Sequence, residues 1–337
     1  HPDPPMDKDS VVMPSGIEVT GLGGEASCIE CHQGRASTQS IDSKIAGAAN
    51  VEDISGIDPE AVLEGLGFSQ IHYTAAAATL YGGETQGGGE YEGKTYTGRL
   101  NHAPPYDTCI GCHDPHSLTV QTQACTNCHG DSNFYRFGPS ADFDGDGNPD
   151  EGLYYEIEGL KEILAGELAA RQVVYQADTY PYIFNQNGET FAAWSPRLLR
   201  AAYNYHYAMK EPGAFAHNGR YMLQLLYDSI EDLNPETVAN LQRTTSREFS
   251  ESQSLTPTGL IDTYKTTSFT DSILAAIEDL EPSFQDDFST NTNSWRGYPR
   301  WPVIKDGVMQ ITEEQGSAEN VNFKDKKDFV LMVDILF

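Results

Sequence analysis

The sequence predicts a mainly α and irregular fold, with little regular structure before residue 140 and a small β segment at the C-terminal end. Three observations predict it. Apolar residues recur near every 3.6 positions over 155–172, 195–210, 218–232 and 271–280, the period of a helix with one buried face. Before residue 140 the chain is broken by glycine-rich stretches, Gly82-Gly83 and Gly87-Gly88-Gly89, which read as turns. After Pro282 the character becomes extended. There Asp306-Gly307 separates Ile304-Lys305 from Val308-Met309-Gln310-Ile311 in the manner of a hairpin, and Phe329 to Phe337 reads as a strand.

These elements divide the 337 residues into a main domain over 1–280, with an acidic loop at 142–153, and a β segment over 281–337. A polar stretch from Arg243 to Thr258 reads as an exposed connection. No run of about eighteen apolar residues occurs, so no helical membrane span is predicted. The formal charge of −29 would be repelled by a phosphate backbone, which excludes nucleic acid as a partner and favours cations. The opening His1-Pro2-Asp3-Pro4-Pro5 reads as a mature N-terminus from which an export leader has been removed.

All six cysteines fall in three copies of one motif: Cys28-Ile29-Glu30-Cys31-His32, Cys109-Ile110-Gly111-Cys112-His113 and Cys125-Thr126-Asn127-Cys128-His129. C-x-x-C-H is the c-type haem attachment motif. Two thiols three residues apart reach the two vinyl groups of one porphyrin, and the adjacent imidazole turns under the ring to the iron. A zinc site needs four ligands, and each Cys2His triple leaves one place open. A disulfide framework gives no reason for a His after every second cysteine. Three haem c groups follow, and the fold becomes that of a multihaem cytochrome with helices clamping the haem cluster.

The nine His residues leave six beyond the three proximal ones: His1, His72, His102, His116, His206 and His217. His72 precedes an alanine-rich stretch that would let a flat ring approach. His102 lies shortly before Cys109, and His116 follows the second motif by three residues, facing away from its own haem toward a neighbour. His217 precedes Asn218, a candidate N-cap for the helix carrying Tyr221, Leu225, Leu226 and Ile230. These four are the candidate distal ligands. His206, between two tyrosines, reads as packed or surface, and Met209 and Met222 fall at core spacing. Three bis-histidine irons bind no substrate, so one-electron transfer rather than catalysis is expected.

Asp142-Phe143-Asp144-Gly145-Asp146-Gly147-Asn148-Pro149-Asp150 carries oxygen donors at alternate positions with glycine at the sharp turns, the D-x-D-x-D-G pattern of a Ca²⁺ loop. Asp142, Asp144, Asp146, Asn148 and Asp150 are its candidate ligands. Position twelve is Leu153 rather than Glu, so the closing carboxylate must come from Glu151, Glu156 or elsewhere.

Together, Ile71-His72-Tyr73, Cys109 to His116, Cys125 to His129 and Ala216-His217-Asn218 with Tyr221 and Leu225-Leu226 resemble the exported multihaem cytochromes of bacteria and archaea, and among them those that polymerise into haem-lined extracellular filaments. The resemblance spans roughly residues 20 to 235. It implies an extracellular or cell-surface protein, with the periplasm as alternative, whose partners are other copies of itself, other redox proteins or extracellular electron acceptors. A distal His donated between subunits is part of what it implies. The competing functions are a soluble periplasmic or surface carrier and, from another class, a multihaem redox enzyme with an open iron site. The segment from Phe284 resembles the opening strands of a concanavalin A-like or laminin-G-like sandwich. Its apolar last strand then requires either further chain or a partner strand.

Overall fold

The computed structural model describes residues 9–244, except 73, 118, 130–134, 136 and 137, together with the backbone of four short strands between residues 295 and 320. The chain forms two compact units, His1–Glu251 and Ser252–Phe337. The helix expected over 271–280, the sandwich residues Phe284 and Phe288 and the strand from Phe329 lie outside the described residues.

The first unit opens with β1 (Ser10–Val12), antiparallel to β2 (Glu18–Thr20), with Val11 opposite Val19. α1 (Ala26–Cys31) and α2 (Thr38–Ala49) follow. The Ser37 hydroxyl accepts the Ser40 N–H at 3.3 Å to cap α2, and Asn50 ends it in the left-handed region at φ 56°. Next come α3 (Ala76–Tyr81) and the short turn α4 (Cys109–Cys112). β3 (His113–Asp114) pairs with β4 (Thr119–Val120) and leads into α5 (Thr122–His129).

Three longer helices form the scaffold: α6 (Leu153–Ala170), α7 (Pro196–Lys210) and α8 (Ala214–Leu233). Between α6 and α7, β5 (Val174–Tyr175) pairs with β6 (Ile183–Phe184). Leu160 and Leu164 of α6, Leu199 and Tyr203 of α7, and Tyr221, Leu225, Leu226 and Ile230 of α8 are wholly buried. Each such aliphatic side chain contributes about 1.5–3 kcal/mol of burial. α7 begins where sequence rules place it, with Ser195 accepting the Leu198 N–H at 3.3 Å and Pro196 in the first turn.

α8 is broken at Asn218, whose backbone (φ −167°, ψ 78°) is extended. Its Oδ1 accepts the Tyr221 N–H at 3.2 Å, so it caps the long part of the helix, and its amide donates to the Gly98 carbonyl at 2.9 Å. The single turn before the break carries His217.

Gly87-Gly88-Gly89 is not a surface turn. It is a buried thread of backbone between α3, α7 and α8, where the Gly88 N–H donates to the Tyr221 hydroxyl at 2.8 Å and the Gly89 N–H to Asn204 Oδ1 at 2.7 Å. A Cβ at position 87 would stand 2.6 Å from the Ala78 Cβ, so only glycine lets the thread pass. The protein's own core also reaches into the motif-bearing region, through Val11, Met13, Ile41, Ile45, Ala78 and Tyr81.

In the second unit β7 (Trp295–Tyr298) pairs antiparallel with β10 (Ser317–Asn320). β8 (Val303–Lys305) pairs with β9 (Val308–Gln310), and the Lys305–Val308 register leaves Asp306-Gly307 as the connection.

Candidate haem and cation sites

One turn of α1 carries Cys28 and Cys31, and His32 follows at its C-terminus. His32 Nδ1 lies 2.6 Å from the Thr74 hydroxyl, which leaves Nε2 as the ligating nitrogen. The segment bearing Thr74 runs against the turn after the motif: the His72 N–H donates to the Gly34 carbonyl at 3.0 Å, and Gly34, at φ 77°, faces Ala75 and Ile71. His72 is exposed there.

The second motif occupies α4 and the first residue of β3. The Cys109 backbone N–H donates to the Glu25 carboxylate, just ahead of α1, and the Cys28 and Cys109 thiols interact with one another. That interaction pulls the Cys28 thiol down to about 6 and pushes Cys109 up. Cys112 lies within electrostatic reach of Cys125 on α5. The three motifs therefore adjoin in the order first, second, third. The side chain of Cys128 is outside the described residues.

Two imidazoles face one another at the second of these turns. The rings of His113 and His217 are 6.1 Å apart, centroid to centroid. Two imidazole nitrogens each about 2 Å from one metal place their ring centroids about 6 Å apart, so the pair has the spacing of two axial ligands. His217 Nδ1 lies 2.8 Å from the buried Glu211 carboxylate, the arrangement that presents Nε2 to a metal. Its ring lies over Gly213, where a Cβ would stand 2.7 Å from Cε1.

Loss of solvent contact lowers the His113 pKa, and the neighbouring His217 and His32 lower it further, while Glu211 opposes them. The same causes act on His102, where desolvation comes first and His129 and His217 follow. Desolvation also lowers His129. His32, His113, His217, His102 and His129 thus form a linked series running through all three motifs. His116 is exposed in the β3–β4 turn, its N–H bonded to Asp114 Oδ1 at 2.8 Å, and is not brought into the series. His206 is buried in the aromatic core beside Phe68, Tyr175 and Tyr182. Cysteine pairs each followed by a histidine, with one further imidazole, His217, at ligating separation from His113, fit covalent haem.

Sequence reasoning missed Thr74, Glu211 and Gly213. Glu211 and Gly213, just before His217, were the available signal, an acid and a gap within reach of one imidazole.

In the acidic loop, oxygen atoms of Asp142, Asp144 and Asp146 lie within 4.8 Å of one another, and so do those of Asp144, Glu151 and Glu156. The loop's backbone is held by its own carboxylates: Asp142 accepts the N–H of Gly145 at 2.6 Å and of Gly147 at 2.9 Å, and Asp146 accepts that of Asn148 at 2.7 Å. The Asn148 amide donates to Glu151 at 3.2 Å. Asp150 takes the Ser140 hydroxyl at 2.5 Å and is not among the converging carboxylates. Burial pushes Glu156 up to about 7, with Asp144 and Glu151 acting in the same direction.

The chain is 25% identical over 264 residues to the C-type polyheme cytochrome OmcB of Geobacter sulfurreducens, covering 64% of this chain and 32% of that protein. It is 25% identical over 270 residues to the C-type polyheme cytochrome OmcC of the same organism, covering 64% and 31%. The chain therefore spans about a third of the length of the curated relatives it matches. No family model matches it, and no solved structure does. The similarity marks a distant relationship to polyheme c-type cytochromes, and haem c is the cofactor it implies.

Proposed function

We propose that this chain transfers electrons through three covalently bound bis-histidine haems, outside the cytoplasm. The observation that carries the reading is the pair His113 and His217, at the separation of two ligands on one iron, beside cysteine motifs that are each followed by His. Cys28 with Cys31, Cys109 with Cys112, and Cys125 with Cys128 anchor the rings, and His32, His113 and His129 are the proximal ligands. His217 is the distal partner of His113, and His102, beside His129, that of the third motif. His72 and His116 are the candidates for the remaining place, and exposed His116 is the one that a second copy could share. Each bound haem supplies reversible one-electron Fe(III)/Fe(II) chemistry. Thr74 and Glu211 orient imidazoles, and the contact of Cys28 with Cys109 keeps two attachment points adjacent, as electron transfer over short gaps requires.

Pyridine haemochrome quantitation should give three covalent haems per chain, and paramagnetic resonance should show low-spin iron. A dominant high-spin signal would favour an enzyme with an open site. His217→Ala should convert one of the three irons to high spin.

We further infer that the chain is the subunit of a polymeric filament. Three haems conduct only across one molecule, and longer paths need head-to-tail contacts that do not close. The resemblance to filament-forming cytochromes supports this reading. Electron micrographs of purified protein test it: filaments agree with it, and isolated particles favour the soluble carrier.

A further inference from the structure

We propose that Asp142, Asp144, Asp146, Glu151 and Glu156 hold one Ca²⁺ ion that ties the segment following the third motif to helix α6, with Glu156 in place of the missing closing ligand at position twelve. The inference goes beyond electron transfer and does not depend on how the irons are ligated.

Four of these residues lie in the loop or directly after it. The fifth lies on the scaffold. Glu156 is 1% exposed, and one of its oxygens, Oε2, accepts the N–H groups of Phe143 at 2.7 Å and Asp144 at 3.0 Å. Those two bonds fix the carboxylate rigidly against the loop. The other oxygen, Oε1, is buried with no hydrogen-bond partner. An unpaired carboxylate oxygen inside a protein is costly unless a cation or donor meets it. The Glu156 carboxylate adjoins those of Asp144 and Glu151, and among the described residues none of the five acids forms an ion pair with Lys, Arg or His.

Asp144 belongs to both groups of converging oxygens, which places the ion beside it, between the loop carboxylates and that of Glu156 on the helix. Gly159 makes that approach possible, because a Cβ there would stand 1.7 Å from Asp144 Oδ2. The donor set is all oxygen, which excludes the metals that favour thiolate or imidazole. Several carboxylates converging on one point suit Ca²⁺, which accepts a full shell of flexible oxygen ligands, whereas Mg²⁺ keeps several of its waters and takes only one or two carboxylates. α6 in turn packs on α8, where Leu153 closes over Gly219, two residues after His217. The ion would thus join the third motif's continuation to the helix pair that presents a distal imidazole.

The test is calcium titration calorimetry on the full haem-loaded chain after chelator treatment and desalting. One Ca²⁺ per chain should bind with a dissociation constant below about 1 mM, and Mg²⁺ at least about tenfold more weakly. Glu156→Gln should weaken calcium at least tenfold, while Asp150→Asn, whose side chain serves Ser140 instead, should leave it unchanged. Should Glu156→Gln fail to fold, judged by circular dichroism and the haem spectrum, Asp146→Asn in the exposed loop takes its place with the same tenfold loss expected. No calcium heat at millimolar concentration, equal affinity for Mg²⁺, or unaltered binding in the folded variant would overturn the proposal.

Discussion

Glu211 sets how His217 would be presented to a haem iron. A carboxylate accepting the Nδ1 proton makes the imidazole a stronger donor and favours the more positively charged oxidised iron. Glu211→Gln should keep the low-spin spectrum but raise the potential of one haem, by about 60 mV for each tenfold loss of that preference. Spectroelectrochemical titration reads it, and three unshifted potentials would show Glu211 to be structural only. His206 predicts a different pH effect, on stability. It is enclosed by Phe68, Tyr175 and Tyr182, with Lys210 the nearest cation, and burial first, then Lys210, hold it down at about 4. An unfolded His titrates near pH 6.5. Between those values the unfolded chain binds a proton that the folded chain refuses. The stabilisation is therefore complete above about pH 6.5 and is lost on the order of 3 kcal/mol as the pH falls toward 4. Urea unfolding at pH 7 and pH 5 should show a smaller loss for His206→Phe than for the parent chain, and equal losses would contradict the assignment.

At the level of elements, the glycine thread beneath α3 governs how tightly the helices close. Gly87→Ala would drive a Cβ into the rigid Ala78 Cβ, so the backbone must shift, at a cost of about 1–3 kcal/mol. Gly47→Ala, at an exposed position of α2 with open space around it, should instead stabilise by about 0.5–1 kcal/mol. Differential melting of the two variants checks both signs. The thread also shows where sequence reading stops. Glycine reads as a turn because its backbone freedom is local, whereas here it answers a crowding set by residues over a hundred positions away, such as Tyr203 and Tyr221. α6, α7 and the long part of α8 were readable because amphipathic period and capping are local properties, as Asn218 illustrates. The C-x-x-C-H motifs were readable because attachment chemistry dictates their spacing. Pairing His217 with His113 needed the fold, since no local rule links positions so far apart. The same is true of Glu156, where sequence allowed several closing ligands and only the contact with Phe143 and Asp144 selects one.

Across the whole molecule the dominant physical fact is a charge of −29 on 337 residues. Copies of such a chain repel one another, and the repulsion reaches about 30 Å at 0.01 M salt but only about 10 Å at 0.1 M. A filament subunit must join head to tail against that field, so assembly should be suppressed at low ionic strength and promoted as salt rises. A soluble carrier that meets a cationic partner transiently would behave oppositely, because screening weakens attraction between unlike charges. Ion binding at the acidic loop would remove part of the repulsion locally, making Ca²⁺ more effective than an equal ionic strength of NaCl. Light scattering of the haem-loaded protein across a salt series, with and without Ca²⁺, separates these behaviours. Scattering that grows with salt, and further with Ca²⁺, agrees with the filament. Scattering that stays flat from 0.01 M to about 0.5 M salt would mean that contacts between copies play no part in how this chain carries electrons.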